Sequence, residues 1–167
     1  MLVDSSALIP LSRVGRLDLL HRLYRRVRST RAVYRECVDE GAARPGVEAL
    51  ARAFDDWIEI VEVPGADRLA AAEGIETADA SLVAACRKSG EALLSNDDHL
   101  LRVARAHGIK AVWLTSVVIA AARKGLLGGR EAQDLMARLV EEGLRLSPEV
   151  FAAVVDALQR LPSRKGR

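Results

Sequence analysis

Short apolar runs alternate with amphipathic stretches over residues 1–114, and this alternation limits the folds that the chain can adopt. The apolar runs with the length of buried strands lie at residues 1–5, 27–29, 57–63, 92–95 and 111–114. Between them, apolar residues recur at helical spacing. Strands that alternate with helices are typical of a parallel sheet covered by helices on both faces. We therefore predict an α/β fold, followed from residue 115 by helices alone.

Composition favours a single folded domain. The chain has 167 residues, of which 50% are hydrophobic and 29% are charged, so it is long and apolar enough to bury a core. No apolar run approaches the roughly 20 residues of a membrane span, and Asp4 interrupts the N-terminal run at once. We expect a cytoplasmic protein without a membrane partner. Cys37 and Cys86 lack metal-ligand spacing and are expected to be buried and reduced.

Acidic residues within or after apolar runs carry the functional signal: Asp4, Glu36, Asp79 and Asp97. A carboxylate near an apolar interior costs several kcal/mol unless a partner compensates it. Asp4 and Asp97 follow predicted strands, at the sheet edge where ligands bind in parallel α/β folds. Oxygen ligands of this kind suit Mg²⁺ or Mn²⁺, which commonly serve phosphate chemistry. The pattern therefore predicts a metal site for phosphodiester hydrolysis.

Each of these acids also has an ordinary structural explanation. Asp4 can cap a helix or stabilise a turn, and Asp97 can cap the helix that follows its strand. Glu36 would face solvent as a common helical residue, whereas Asp79 would gain from the helix dipole in a first turn. Their joint occurrence favours a shared cation. Neither a phosphate-cradling glycine motif nor a Ser-His-Asp arrangement is present, so the acids are the main chemical signal.

Several segments resemble the PIN domain, and most of all the small prokaryotic PIN proteins related to VapC-type toxins. The resemblance is carried by Leu-Val-Asp-Ser-Ser-Ala-Leu-Ile, Ala-Val-Tyr-Arg-Glu, Thr-Ala-Asp-Ala and Leu-Leu-Ser-Asn-Asp-Asp-His-Leu. It implies a three-layer α/β/α sandwich with a central, mainly parallel sheet of four or five strands. A subgroup with a longer helical tail resembles the remainder. We accordingly expect a catalytic domain at 1–125 and a helical extension at 126–167, with the last few residues mobile.

The resemblance also implies roles for the acids. Asp4 and Asp97 match the main ligands of Mg²⁺ or Mn²⁺ in the family. Glu36 and Asp79 match further acids that act on the metal directly or through water. In the longer-tailed subgroup Glu is common at the position of Asp79, and this exchange retains a carboxylate. These four residues are the predicted catalytic and metal-binding set.

Three accessory residues follow from the same comparison. Ser5 or Ser6 stands where the family often has a hydroxyl or amide that hydrogen-bonds the site. Asp98 is a fifth acid, for which a charge at a helix N-terminus is an equal explanation. The chain departs from the family at Thr30, where related sequences often carry Pro.

The function implied is that of a metal-dependent endoribonuclease, a hydrolase, acting as the toxin of a type II toxin–antitoxin pair. Its partners would be an RNA substrate, a small antitoxin and a second copy of the chain, with residues 17–24 and 120–127 as candidate dimer surfaces. An alternative is a PIN-fold binding or assembly module with weak or no nuclease activity. A metal-dependent phosphatase of the HAD type fits poorly, because Ser6 stands where that class has a second aspartate.

Overall fold

The structure, a computed structural model, describes residues 1–41 and 43–161. Its strands in these ranges are β1 (Leu2–Val3), β2 (Val27–Thr30), β3 (Ile58–Val61), β4 (Leu93–Ser95) and β5 (Ala111–Trp113). Its α-helices there are α1 (Ser5–Arg13), α2 (Asp18–Leu23), α3 (Arg31–Tyr34), α4 (Val47–Asp56), α5 (Ala66–Glu73), α6 (Thr77–Ser89), α7 (Asp98–Ala106), α8 (Leu114–Arg123), α9 (Gly129–Glu141) and α10 (Pro148–Gln159). A π-helical turn, Arg35–Asp39, continues α3.

The strands form one parallel sheet in the order β3-β2-β1-β4-β5. The chain therefore moves outward from β1 to β3, returns past β1 to β4, and ends at β5. The direction reverses between β1 and β4, and in open parallel sheets ligands bind at such a switch point, beyond the carboxyl ends of the strands. Leu2 lies opposite Leu93 and Val3 opposite Leu94, so the chain leaves both strands side by side at that edge.

Helices cover both faces of this sheet. Helix α6 packs against β1, β2 and β4, beside α5 and α7, whereas α1 packs against α4 and α2 against α8. Because crossovers between parallel strands are right-handed, the reversal of direction at β1 places the helices of the later crossovers, α5 to α7, on the face opposite α1 and α2. The predicted α/β/α sandwich is confirmed, and every strand pair in the described ranges is parallel.

The central position of β1 and β4 in the sheet explains why their sequences are continuously apolar. Leu2 and Val3 of β1 and Leu93 and Leu94 of β4 are fully buried. A parallel sheet with helices on both faces buries the side chains of both faces, so alternation with polar residues is lost. Each such side chain contributes about 1.5–3 kcal/mol through burial. This packing makes β1 and β4 a rigid base for the residues that follow them.

The C-terminal helices continue the same hydrophobic core. Helices α9 and α10 pack against α8 and against each other, and Leu135, Met136, Leu139 and Leu158 are almost fully buried there. The division of the chain at residues 125 and 126 stays a prediction, and the predicted mobility of the last few residues concerns positions outside the described ranges. Within residues 1–41 and 43–161, no helix has the length and apolar character needed to cross a membrane.

Candidate active site

Asp4 lies at the switch point between β1 and β4. Only 3% of its surface is exposed, and its backbone N–H donates to the carbonyl of Leu94 at 2.9 Å. The carboxylate caps α1 by accepting a hydrogen bond from the N–H of Ser6. Because α1 begins directly after Asp4, the strand predicted at 1–5 is shorter and comprises only Leu2–Val3. The capping explanation of Asp4 is thus correct for one of its contacts, while the side chain remains at the predicted sheet edge.

Two serine hydroxyls hold the buried carboxylate of Asp4. Ser6 Oγ and Ser95 Oγ both donate to Asp4 Oδ2, the latter at 2.8 Å. Each hydroxyl in turn accepts a backbone N–H of the loop after β4, Ser6 from Asn96 at 2.8 Å and Ser95 from Asp97 at 2.9 Å. Hydrogen bonds to an ionised group are worth about 1.5–3 kcal/mol each. The hydrogen bonds of these two serines compensate the burial of Asp4 and fix the loop that carries Asp97.

Asp97 is exposed at the start of α7. Its Oδ1 accepts the N–H of Leu100 at 2.9 Å, which is the N-cap contact that the sequence left open as its ordinary explanation. Asp98, the next residue, is exposed and pairs with Arg102 at 3.2 Å along the surface of α7. The structure therefore brings Asp97 to the sheet edge, while the side chain of Asp98 is engaged in a surface ion pair.

Glu36 reaches the same edge from the π-helical turn Arg35–Asp39. Such turns displace a side chain from ordinary helical spacing and occur frequently at functional sites. Ser5 Oγ donates to Glu36 Oε1 at 2.9 Å, which links this turn to the start of α1. Burial raises the pKa of Glu36, the Ser5 hydrogen bond acts in the opposite direction, and the charge of Asp4 raises the pKa further.

Asp79 lies half-buried in the first turn of α6. Its pKa is raised to about 7, first by burial and then by the negative charges of Asp4 and Asp97. Carboxylates that repel one another in this way share a local environment. Glu76, which the sequence interpretation did not single out, raises the pKa of both Asp79 and Glu36. It lies three residues before Asp79, at the N-cap of α6, and could have been found as an acid one helical turn away.

The comparisons with known proteins agree with this geometry. A family model described as PIN domain matches residues 1–160. The chain belongs to the PIN-domain family. The crystal structure of PAE2754 from Pyrobaculum aerophilum is similar to it, with a TM-score of 0.51 and 26% sequence identity, covering 72% of this chain and 88% of that chain. None of the curated proteins matches the chain. PIN domains are generally nucleases and typically use a divalent metal ion.

Thr30, where many PIN sequences carry Pro, has two partners that Pro lacks. Its Oγ1 caps α3 by accepting the N–H of Val33 at 3.4 Å, and it lies 2.7 Å from Ser81 Oγ of α6. Ser81 donates its own proton to the carbonyl of Ala78 at 2.6 Å, so Thr30 is the donor in the contact between the two hydroxyls. Thr30 at this position therefore links α3, which leads to Glu36, to α6, which carries Asp79.

The acidic side chains of this PIN domain suit a divalent cation by their chemistry. Carboxylate oxygens are the ligands that Mg²⁺ and Mn²⁺ prefer. In the part of the chain that the structure describes, no three Asp, Glu, His or Cys side chains are grouped closely enough to form a ready-made metal site. Mg²⁺ is usually held by one or two carboxylates together with water and substrate phosphates, so a full protein cage is not required. The donor set fits such an ion.

Ser95 is the site contact that sequence reasoning missed. It ends β4, is fully buried and contacts both Asp4 and Asp97. The available signal was a small polar residue that ends an apolar strand next to an aspartate.

Proposed function

We propose that this PIN-domain protein is an endoribonuclease that depends on Mg²⁺ or Mn²⁺. The observation that carries the proposal is the set of four carboxylates, Asp4, Asp97, Glu36 and Asp79, at one edge of the sheet. Burial first, and then the neighbouring negative charges, raise the pKa of Asp79 there to about 7. Repulsion of this kind is relieved when a cation is shared between the carboxylates. A nuclease fold with such an edge is suited to phosphodiester hydrolysis.

The residues of the edge divide into ligands and supports. Asp4 and Asp97 would be the main ligands of the cation, and Glu36 and Asp79 would act on it directly or through water. Ser6 and Ser95 orient the carboxylate of Asp4, because both hydroxyls donate to its Oδ2. Ser5 orients Glu36 in the same way. When bound, a divalent cation supplies a lower pKa for water and stabilises charge on the leaving oxygen.

The finer parts of the proposal are the substrate and the setting. RNA as substrate, the toxin role beside a small antitoxin and the homodimer come from the resemblance to VapC-type toxins, whereas the cytoplasmic location is proposed from the hydropathy of the sequence. The surface of that dimer stays unassigned, because α2 and α8 contact each other within one chain, and the apolar residues Leu19, Leu20 and Ala121 of the expected surfaces 17–24 and 120–127 are buried in its own core. RNA readers favour exposed bases, so single-stranded or looped RNA is the expected form of the substrate.

Cleavage of an RNA panel in Mg²⁺, in Mn²⁺ and in EDTA tests the proposal. We expect cleavage by the parent with either metal, loss of cleavage in EDTA, and loss in Asp4→Asn and Asp97→Asn. Asp134→Asn is the matched control, because Asp134 is an exposed acid on α9 that loses the same charge. Cleavage by Asp4→Asn and Asp97→Asn at the parent's rate would refute the assignment of the site.

A binding or assembly module is the second candidate, and two observations favour it. The described residues contain no compact group of three metal-binding side chains, and Asp97 already caps α7. Calorimetric titration with Mn²⁺ separates the two functions. A nuclease site should bind Mn²⁺ in the parent and bind it more weakly in Asp97→Asn. Absence of binding in the parent, together with an RNA panel left intact, would favour the module.

A further inference from the structure

The loop between α9 and α10 lies beside the candidate active site, although it belongs to the predicted C-terminal extension. Asn96, in the loop after β4, donates its side-chain Nδ2 to the backbone carbonyl of Arg145 at 3.3 Å. The backbone N–H of the same asparagine donates to Ser6 Oγ, which donates to Asp4. Two residues therefore connect the backbone of Arg145 to the central carboxylate of the site.

The backbone of this loop is held in place on both sides of Arg145. Leu144 is 3% exposed, and its N–H donates to the carbonyl of Leu139 at 2.8 Å. Three residues before Arg145, the backbone carbonyl of Glu142 accepts a hydrogen bond from the guanidinium of Arg13 at 3.4 Å. Two residues after it, Ser147 caps α10 by accepting the N–H of Val150. Arg145 is exposed between these anchors, so an exposed cationic side chain is attached to a fixed backbone.

The charge of Arg145 is not neutralised by the rest of the described chain. In residues 1–41 and 43–161, no carboxylate lies within 4.0 Å of its guanidinium, whereas Arg102 on the neighbouring α7 is paired with Asp98 at 3.2 Å. The sheet edge next to the backbone of Arg145 is lined by carboxylates, which repel a polyanion such as RNA. A cation beside that edge offsets the repulsion where the backbone of a nucleic acid must approach.

We propose that Arg145 is a phosphate-binding residue, through which the C-terminal extension takes part in holding single-stranded RNA at the active site. This inference rests on the proposed ribonuclease function and deepens it. The planar guanidinium is suited to bidentate contact with a phosphodiester, and its role is in binding the strand rather than in breaking the bond. The extension would then contribute to substrate affinity as well as to the core.

Fluorescence anisotropy with a labelled oligouridine, in EDTA to prevent cleavage and over a series of salt concentrations, tests this role. We compare the parent, Arg145→Gln, Arg145→Lys and Arg87→Gln. Arg87 is the matched control, because it is exposed in the last turn of α6, at the other end of the helix from Asp79. Glutamine at 145 keeps the backbone carbonyl that accepts from Asn96, and equal thermal midpoints of the two glutamine variants verify that the loop is retained.

We expect Arg145→Gln to bind the oligouridine several-fold more weakly than Arg87→Gln and the parent. Its plot of log affinity against log salt should be shallower by about 0.7, the value for one phosphate contact on a single strand. Arg145→Lys should retain most of the binding. Equal affinities and slopes of Arg145→Gln and Arg87→Gln would overturn the proposal, and so would a parent that does not bind the oligouridine.

The same variants separate this proposal from the ribonuclease function. If the parent cleaves RNA with Mg²⁺ or Mn²⁺ but Arg145→Gln binds like Arg87→Gln, the role of Arg145 is refuted and the nuclease stands. If Arg145→Gln binds more weakly while the parent cleaves nothing with either metal, the phosphate contact stands and the nuclease function fails.

Discussion

The hydroxyl of Ser95, at the end of β4, donates a 2.8 Å hydrogen bond to Oδ2 of Asp4, at the end of β1. The same oxygen of Ser95 accepts the backbone N–H of Asp97 at 2.9 Å. One buried serine thus connects the two acids for which the sequence made the strongest case. It does so at the switch point of the sheet, where the strands are parallel neighbours.

Ser95→Ala should destabilise the fold and impair RNA cleavage together. The substitution removes a donor to the buried carboxylate of Asp4 and the acceptor of the part-buried N–H of Asp97, and loss of partners in this setting costs about 1–3 kcal/mol. We expect a fall of this size in the free energy of unfolding, measured in urea. Ser116→Ala, at an exposed serine of α8, is the control. Equal unfolding free energies in the two variants would contradict the role of Ser95.

Ser5→Ala should move the acid limb of the pH–rate profile of RNA cleavage to higher pH. The hydroxyl of Ser5 donates to Glu36 Oε1 at 2.9 Å and lowers the pKa of that carboxyl, against the effect of burial. Without it, Glu36 retains its proton to a higher pH, whereas the proposed role requires the ionised form. Ser5→Thr keeps a hydroxyl and should keep the profile. An acid limb that stays in place in Ser5→Ala would show that Glu36 does not control this limb.

Asp79→Asn should stabilise the metal-free protein at neutral and alkaline pH. The folded protein keeps a proton on Asp79 up to a pKa of about 7, whereas the ordinary value of this group is 3.8. Between these values the folded state binds more protons than the unfolded state, so stability falls as the pH rises. With allowance for solvent screening of a half-buried group, we expect a gain of about 1–2 kcal/mol in Asp79→Asn at about pH 8.

Urea unfolding of the parent, Asp79→Asn and the control Asp134→Asn measures this gain. The difference between Asp79→Asn and the parent should shrink towards zero at about pH 3, below the ordinary pKa of 3.8, where the aspartate is largely protonated in both states. A difference that is the same at both pH values would mean that the charge of Asp79 is not its source. Addition of Mg²⁺ should favour the parent over Asp79→Asn, because the cation requires the ionised carboxylate.

Thr30 and Ser81 should show a favourable coupling in a double-mutant cycle. Their hydroxyls lie 2.7 Å apart in the interior, and Thr30 also caps α3. We expect Thr30→Val to lose about 1–2 kcal/mol of unfolding free energy, from the cap and the hydrogen bond together. Thr30→Val, Ser81→Ala and the double variant, compared in urea, isolate the pairwise part. Strict additivity of the two substitutions would contradict the hydrogen bond.

The four acids show which parts of the site can be predicted from the sequence. Asp4 and Asp97 were predicted at one sheet edge because each follows an apolar strand, and parallel strands end on the same side. Glu36 and Asp79 lie on helices, and their proximity depends on how two crossovers pack. For these two, the resemblance to PIN domains implies the assignment. The structure adds the hydrogen bond from Ser5 to Glu36, and the burial and neighbouring negative charges that raise the pKa of Asp79.

Local sequence patterns are enough to predict the elements, from apolar runs long enough for strands, helical spacing between them and acids at their ends. These are local properties, since burial and helix periodicity act over a few residues. The strand order depends on the complete fold, and so does the pairing of β1 with β4 that joins Ser95 to Asp4. The same is true of the contact between Asn96 and Arg145. Contacts between segments far apart in the chain depend on the packing of the whole core, which no local pattern encodes.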